Sequence, residues 1–188
     1  MILRLLSFVL LAAVILLDLV VPLAASLIAL VVDGFPVLGL IDQPINDERW
    51  LGVTGKETLF NGEPVSTRRC RELAQATLAT TGPHYFTQDE GDVFMALAAK
   101  TDHKRMVMGG DCYNYGLVAS GHVDIVVEAG LKLHDFAALV PIVEGAGGVM
   151  SDRAACRATM PHGEAGESVG RPRRADRCFG TRSRGGCT

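Results

Sequence analysis

From Leu23 onward, short apolar runs alternate with turns that contain glycine. Leu23 to Val32 and Phe35 to Asp42 are two such runs, and Asp33-Gly34 between them is a strong hairpin signal. Arg49 to Thr54 and Thr58 to Phe60 continue the pattern. The first half of the chain is therefore predicted to form antiparallel strands.

The second half of the chain mixes strand and helix patterns. Asp89 to Ala99 is predicted to be a helix because its apolar residues recur at helical spacing. These residues are Val93, Phe94, Leu97 and Ala98. The other predicted elements are strands over Ala76 to Thr80 and Lys104 to Met108, and a helix over Tyr113 to Ser120. Trp50 is expected in the core or at an interface, and Asn61-Gly62 is expected to be a turn.

The segment from Val123 to Asp152 carries the clearest chemistry. Val123 to Val127 is nearly continuous in apolar residues, which is typical of a strand buried on both faces, and Glu128 follows directly. Asp135 opens the next helix, where aspartate is favoured as an N-cap or first-turn residue. Ligands collect at the carboxyl edge of α/β sheets, so the two carboxylates predict a metal and anion site. A helix cap and a solvated strand end stay open as alternatives.

The predicted helix after Asp135 is mostly apolar and contains a proline. It runs from Phe136 to Val143 and ends at a cluster of glycines. Pro141 within it predicts either a bend or a late start of the helix.

Three stretches resemble one known family. The C-terminal signature of the inositol monophosphatase superfamily resembles this chain's stretch LKLHDFAALVPIVEGAGGVMSD. The family segment that precedes the signature resembles this chain's stretch GGDCYNYGLVASGHVDIVVEAG. The family's central β-meander is similar to PVLGLIDQPINDERWLGVTGKETLFNGEPVSTR. The resemblance runs from about Leu23 to Asp152, and GGDCYNYG and IDQP favour the histidinol-phosphatase branch. It implies an α/β architecture, a partial sugar-phosphatase-like layered α-β-α-β fold.

The resemblance also implies an activity and residues for it. Members of the family hydrolyse phosphate monoesters with Mg²⁺, so Mg²⁺ and a small phosphorylated metabolite are the expected partners. By position, Asp135 matches the family's last metal-binding aspartate, and Glu128 matches a contact to the substrate's hydroxyl or amino group. Gly110 and Asp111 match a substrate-contacting segment, and Asp111 suits a cationic amine such as that of histidinol.

Three of these assignments have alternatives or less support. Asp111 is also interpreted as an N-cap of the helix that begins near Tyr113. His84 is a weaker candidate, in a loop that lies near the substrate pocket in the family. Lys132 either helps to neutralise a phosphate or is a solvated loop charge.

The chain departs from the family pattern at the metal ligands. The family carries a Glu-Glu pair and then a D-P-x-D-G-T motif, and neither occurs in these 188 residues. Mg²⁺ usually needs more than one protein carboxylate, so Asp135 alone is not expected to hold a catalytic metal. Three hypotheses follow: a Mg²⁺-dependent phosphatase for a histidinol-phosphate-like monoester, a catalytically inactive remnant, and a membrane-anchored accessory protein.

The two ends differ from the family-like residues 23–152. Residues 1–22 are almost wholly apolar, with Asp18 as the only ionisable side chain from Leu5 onward. Met1 to Val20 is interpreted as a membrane or export segment, with contact to a membrane, or as a gene artefact. Residues 153–188 are rich in arginine and contain no Leu, Ile or Lys. This composition predicts a disordered tail, and a shifted reading frame is one hypothesis for it.

Composition sets the remaining bounds. The length suits one domain, and the net charge of −3 gives no reason to expect nucleic acid as a partner. The five cysteines show no CxxC spacing, which argues against a zinc site and a disulfide framework. Cys70 and Cys112 are expected to be ordinary, partly buried thiols. A cytoplasmic location is the expectation, and the family resemblance implies a homodimer.

Overall fold

The chain begins, in its described part, with an antiparallel sheet. The computed structural model describes residues 25–151 and, for the backbone alone, residues 179–183. The strands of this first sheet are adjacent in chain order: β1 (Ser26–Val32), β2 (Phe35–Gln43), β3 (Glu48–Val53), β4 (Leu59–Phe60) and β5 (Glu63–Pro64). Each pairs antiparallel with the next, as the sequence pattern predicts.

Two tight turns fix the register of this sheet. Asp33 and Gly34 have φ angles of 50° and 78°, and Asn61 and Gly62 have 48° and 90°. Two consecutive residues with positive φ are the signature of the type I′ turn, whose twist matches that of the flanking strands. The turns predicted at these two positions are confirmed.

The second sheet contains the parallel strands β6 (Leu78–Thr80), β7 (Val107–Met108) and β8 (Ile125–Glu128). Its other two strands are β9 (Gly148–Ser151) and β10 (Phe179–Ser183). The order across the sheet is β7-β6-β8-β10-β9. β6 is parallel to β7 and β8, whereas β10 is antiparallel to both of its neighbours.

The strand β10 differs from the prediction for the tail. Composition predicts that residues 153–188 are disordered, yet Phe179–Ser183 lies between β8 and β9. Pairing on both sides satisfies its backbone groups, so the segment does not need apolar side chains of its own to be ordered. The rest of the predicted tail, including Cys156, Cys178 and Cys187, lies outside the described residues.

Helices α1 (Gln88–Ala98) and α2 (Tyr113–Ala119) follow the predicted pattern with one exception. Thr87 and Glu90 form a capping box at the start of α1, which satisfies free backbone N–H groups there. Phe94 and Ala98 are buried as predicted, but Val93 is 71% exposed. The prediction for Val93 is wrong because Val93 is outside the cluster in which Phe94 and Ala98 pack with Leu78.

The helix predicted after Asp135 forms as two pieces, α3 (Leu133–Phe136) and α4 (Leu139–Gly145). Pro141 is the third residue of α4, within the first turn, where its missing N–H would have no intrahelical partner. The late start is therefore the correct interpretation of Pro141. Asp135 is the third residue of α3 and not its N-cap, which is Lys132.

The elements stack as alternating layers. One hydrophobic core joins Ile41 and Trp50 of the first sheet, α2 and α4, and Val126 and Met150 of the second sheet. A smaller core joins Leu78 to α1 on the other face of the second sheet. The described layers are sheet, helices, sheet, helix, which confirms the predicted α/β layered α-β-α-β architecture. Trp50 is 1% exposed and donates its indole N–H to Ser120.

Close packing of α4 on the first sheet depends on two strand glycines. A Cβ atom at Gly39 of β2 would overlap the carbonyl oxygen of Ala138, and one at Gly52 of β3 would overlap the backbone of Ile142. The absence of side chains therefore lets the helix backbone lie directly on the strands.

An ion pair between a half-buried arginine and a buried aspartate connects the two sheets. Asp124, 2% exposed, accepts hydrogen bonds from the guanidinium of Arg68 at 2.8 and 2.5 Å and from the backbone N–H of Thr77 at 2.7 Å. Arg68 follows the first sheet, and Thr77 and Asp124 directly precede β6 and β8. The pair therefore fixes the positions at which β6 and β8 begin.

The apolar segment Met1 to Val20 lies outside the described residues. Within the described ranges, no helix combines the length and the apolar character that a membrane crossing requires.

Replacing Gly39 with alanine is expected to lower the free energy of unfolding by about 3 kcal/mol, because overpacking forces the helix away from the sheet. Urea denaturation measures the change. Gly91→Ala is the matched control: a Cβ atom there meets nothing within 4 Å, so removing a helical glycine should stabilise the protein by up to about 1 kcal/mol. Equal effects of the two substitutions would contradict the packing argument.

Replacing Arg68 with leucine is expected to cost about 3–5 kcal/mol, because it leaves Asp124 buried without its counter-ion. The control is Arg49→Leu, whose pair with Asp42 lies on the surface with side chains 60% and 27% exposed and should contribute less than about 1 kcal/mol. Thermal or urea unfolding distinguishes the two variants, and similar losses would argue against a special role for the Arg68–Asp124 pair.

Candidate functional site

The carboxyl ends of the three parallel strands meet at one edge of the second sheet. Thr81 follows β6, Gly109 and Gly110 follow β7, and Glu128 ends β8. The backbone N–H of Gly109 donates to the carbonyl groups of Thr80 at 3.0 Å and Thr81 at 3.1 Å. These bonds hold the loops after β6 and β7 together, at the edge where ligands of such sheets bind.

Glu128 is the buried carboxylate of this edge. It is 3% exposed, and its Oε1 atom accepts hydrogen bonds from the backbone N–H of Thr81 at 2.7 Å and from its hydroxyl at 2.8 Å. Burial raises the pKa of Glu128, the bonds from Thr81 oppose that rise, and the charge of Asp111 adds to it. A solvated strand end is therefore the wrong interpretation of Glu128.

Tyr115 connects the predicted acidic residues. Its side chain is buried in α2, and burial raises the pKa of its hydroxyl well above the ordinary value. The charges of Glu128, Asp111 and Asp135 raise that pKa further. The three acidic residues predicted from the sequence therefore all act electrostatically on one residue of α2.

Sequence reasoning missed Tyr115. On an apolar helix, a tyrosine is typical of a core residue. No local signal set it apart, because Asp111, four residues earlier, has a positive φ and lies outside the helix.

Asp111 and Gly110 lie in the loop before α2. Gly110 has a φ angle of 91° and Asp111 of 46°, and a Cβ atom at Gly110 would lie 2.6 Å from the Oδ1 atom of Asn114. The N-cap of α2 is Cys112, so the interpretation of Asp111 as the cap is wrong. Within the described residues, no group donates a hydrogen bond to the exposed carboxylate of Asp111.

Asp135 lies on α3, with its side chain 39% exposed. Its Oδ2 atom accepts a hydrogen bond from the backbone N–H of Lys132 at 2.7 Å, and its Oδ1 atom lies 3.4 Å from the Nε2 atom of His134. The carboxylate therefore contributes to capping α3 while remaining accessible at the edge.

The two weaker candidates lie on the surface. Lys132 is exposed and contributes its backbone N–H to Asp135. His84 is exposed and lies against Tyr85, with ring centroids 4.1 Å apart. In the part of the chain that the structure describes, no contact joins either side chain to Glu128.

Cys70 and Cys112 are free thiols and are more buried than predicted, at 4% and 6% exposed. Burial raises the pKa of Cys112 to about 12, so this thiol is not available as a nucleophile at neutral pH. It lies 3.7 Å from the carbonyl oxygen of Ala25.

The donor set at this edge does not fit a complete magnesium centre. Mg²⁺ takes six oxygen ligands in near-octahedral geometry. Among the described residues, no three His, Cys, Asp or Glu side chains come together to hold a metal ion. Asp135 also uses one oxygen for Lys132. We therefore assign no hydrolytic step to a metal held by these residues alone.

Glu128→Gln is expected to raise the free energy of unfolding at neutral pH and leave it almost unchanged at acidic pH. Because the pKa of Glu128 is raised in the folded state, its contribution to stability is fully present below the pKa of the unfolded chain. That contribution is lost as the pH rises through the folded pKa. The amide removes this loss and keeps an oxygen for Thr81.

Urea unfolding from about pH 4 to about pH 8 checks this prediction. The control is Glu63→Gln, an exposed carboxylate on β5, which should follow the unsubstituted protein at each pH. A Glu128→Gln curve parallel to that of the unsubstituted protein would show that burial of this charge does not weaken the fold.

Comparisons with known proteins agree with this architecture. The model of the inositol monophosphatase family matches residues 20–180. The chain is 51% identical over 131 residues to the "bifunctional phosphatase IMPL2, chloroplastic" of Arabidopsis thaliana, covering 70% of this chain and 37% of the relative. It is 34% identical over 137 residues to the histidinol-phosphatase of Chlorobaculum parvum, covering 70% and 51%.

A solved structure gives the same result. The inositol monophosphatase from Zymomonas mobilis superposes with a TM-score of 0.73 at 45% identity, covering 85% of this chain and 58% of that one. The chain thus spans about half or less of the length of these curated relatives. Enzymes of the inositol monophosphatase family are generally metal-dependent. The family match, these identities and the shared layers lead to one conclusion: the chain belongs to the inositol monophosphatase family.

Proposed function

We propose that this chain carries the substrate-binding side of a Mg²⁺-dependent phosphatase that acts on a small, histidinol-phosphate-like monoester. The observation that carries the proposal is the buried carboxylate of Glu128, held by Thr81 at the carboxyl end of β8; the charges of Glu128, Asp111 and Asp135 all act on Tyr115. An edge of parallel strands with several carboxylates suits a ligand that brings positive charge, either a metal ion or an ammonium group.

Each residue of the edge has a distinct part in this proposal. Glu128, fixed by Thr81, accepts from the substrate's amino or hydroxyl group. Asp111, exposed and without a donor among the described residues, pairs with a cationic amine. Gly110 lets the backbone approach the ligand, and Asp135 supplies one oxygen to Mg²⁺. Lys132 and His84 are secondary candidates: Lys132 to help neutralise the phosphate, and His84 as a residue of the loop near the substrate pocket.

Support for a histidinol-type substrate comes from relatives and from charge. The Chlorobaculum parvum relative is a histidinol-phosphatase, whereas the Zymomonas mobilis structure is an inositol monophosphatase. Inositol phosphate carries no cationic group, so the carboxylate of Asp111 favours the amine-bearing substrate. The homodimer and the cytoplasmic location stay predictions; one relative is named as chloroplastic.

A second candidate is a chain that binds the substrate without hydrolysing it. The observation in its favour is the incomplete set of metal ligands among the described residues. Both candidates share the same substrate edge, so binding tests the edge and phosphate release separates the two.

Titration calorimetry with Mg²⁺ present is expected to show tighter binding of histidinol phosphate than of inositol 1-phosphate. Asp111→Asn should weaken histidinol phosphate about tenfold or more, because a charge-assisted hydrogen bond contributes about 1.5–3 kcal/mol, and should leave inositol 1-phosphate unchanged. The matched control is Asp33→Asn, an exposed aspartate that also has positive φ but lies in the β1–β2 turn.

Phosphate release from histidinol phosphate, lost in Asp135→Asn, would support the phosphatase. Binding without release would favour the second candidate. Equal affinity for the two phosphates, or equal effects of Asp111→Asn and Asp33→Asn, would contradict the proposed substrate edge.

A further inference from the structure

Tyr115 places a polar group inside the helix layer at the candidate site. Its side chain is 2% exposed and packs in the main core with Val126, Phe136 and Ala137. Among the residues that the structure describes, its hydroxyl has no hydrogen-bond partner. Leaving a buried polar group unpaired is unfavourable, so this hydroxyl is expected to have a partner that phenylalanine would not need.

Strand alternation places Glu128 on the side of the second sheet where Tyr115 packs. Ile125 and Val127 of β8 pack on the side of α1, whereas Val126 belongs to the core that contains Tyr115. Because successive side chains of a strand point to opposite faces, Glu128 lies on the same side of the sheet as Val126 and Tyr115.

One oxygen of the Glu128 carboxylate accepts no hydrogen bond from the described residues. Its Oε1 atom receives both hydrogen bonds from Thr81. Within the described ranges, no group donates to its other oxygen, Oε2. A buried donor without an acceptor and a buried carboxylate with a free oxygen therefore lie on one side of the same sheet.

Electrostatics makes Tyr115 a permanent donor. Burial raises the pKa of its hydroxyl, and Glu128 is the first among the charges that raise it further. The hydroxyl consequently keeps its proton at neutral pH, and the charged groups that act on it are acceptors. Of the three carboxylates, Glu128 is the buried one, at 3% exposed, whereas Asp111 is exposed and Asp135 is 39% exposed.

We propose that Tyr115 is a positioning residue of the substrate site: through a bridging water, its hydroxyl donates to the Oε2 atom of Glu128 and fixes the orientation in which that carboxylate meets the ligand. A water of this kind is nearly as favourable as a direct bond, and buried waters usually satisfy such groups. The consequence for the ligand rests on the proposed function; the contact with Glu128 does not.

A double-mutant cycle on stability tests the contact without any ligand. Tyr115→Phe is expected to lower the urea midpoint in the unsubstituted chain and to have no such effect in Glu128→Leu, which removes the acceptor. The matched control is Tyr113→Phe, because the Tyr113 hydroxyl donates to Glu48 at 2.5 Å and should act independently of Glu128.

The sign of the midpoint shift in Tyr115→Phe alone gives a second readout, should Glu128→Leu fail to fold. A hydroxyl that is buried without a partner makes Tyr115→Phe stabilising, because the desolvated group is removed. A raised midpoint, or equal shifts in both backgrounds, overturns the proposal.

Binding separates this proposal from the proposed function. Titration with histidinol, which presents the amine without the phosphate, is expected to show about tenfold weaker binding to Tyr115→Phe, as the loss of one hydrogen bond would give. Inorganic phosphate should bind both proteins equally. If the unsubstituted chain does not bind histidinol, the proposed function fails while the stability cycle still decides the contact. If it binds histidinol and Tyr115→Phe binds equally, positioning by Tyr115 is wrong.

Discussion

The positions of Asp135 and Tyr115 depend on how closely the helix layer approaches the first sheet. Gly39 of β2 meets the backbone of Ala138, at the junction of α3 and α4, so this contact sets the position of both helices. Asp135 lies on α3, three residues before the junction. α2 packs in the same layer and carries Tyr115. Because Gly39 and Gly52 carry no side chains, the helix layer can lie directly on the first sheet. This close packing sets the position of the Asp135 carboxylate.

The second sheet positions Glu128, although burying this carboxylate is electrostatically unfavourable. Glu128 is buried, and burial and the charge of Asp111 raise its pKa, as they raise the pKa of Tyr115. Two hydrogen bonds from Thr81 offset part of that cost. A carboxylate held in this way weakens the fold at neutral pH, and groups with such perturbed pKa values collect at functional sites.

Sequence reasoning reached the strands, the type I′ turns and the acidic residues because each depends on local chemistry. It did not reach features set by distant contacts. Val93 matches the apolar spacing of α1 but lies outside the cluster that buries Phe94. Tyr115 has the spacing of a core residue, and only its neighbours give its hydroxyl a role. β10 has little apolar character, and its order comes from pairing with β8 and β9.

The same edge is the basis for proposing a cationic ligand for this chain. The charge of Asp111 raises the pKa of Glu128, so a ligand that brings positive charge to this edge would stabilise the charged form of Glu128. Inositol phosphate, which brings only hydroxyl groups and a phosphate, would not. Asp135 cannot replace the amine in this respect, since it is itself a carboxylate and adds to the negative charge until a metal ion is bound. The proposed preference for an amine therefore rests on the arrangement of charges at the edge, whichever residues complete the metal site.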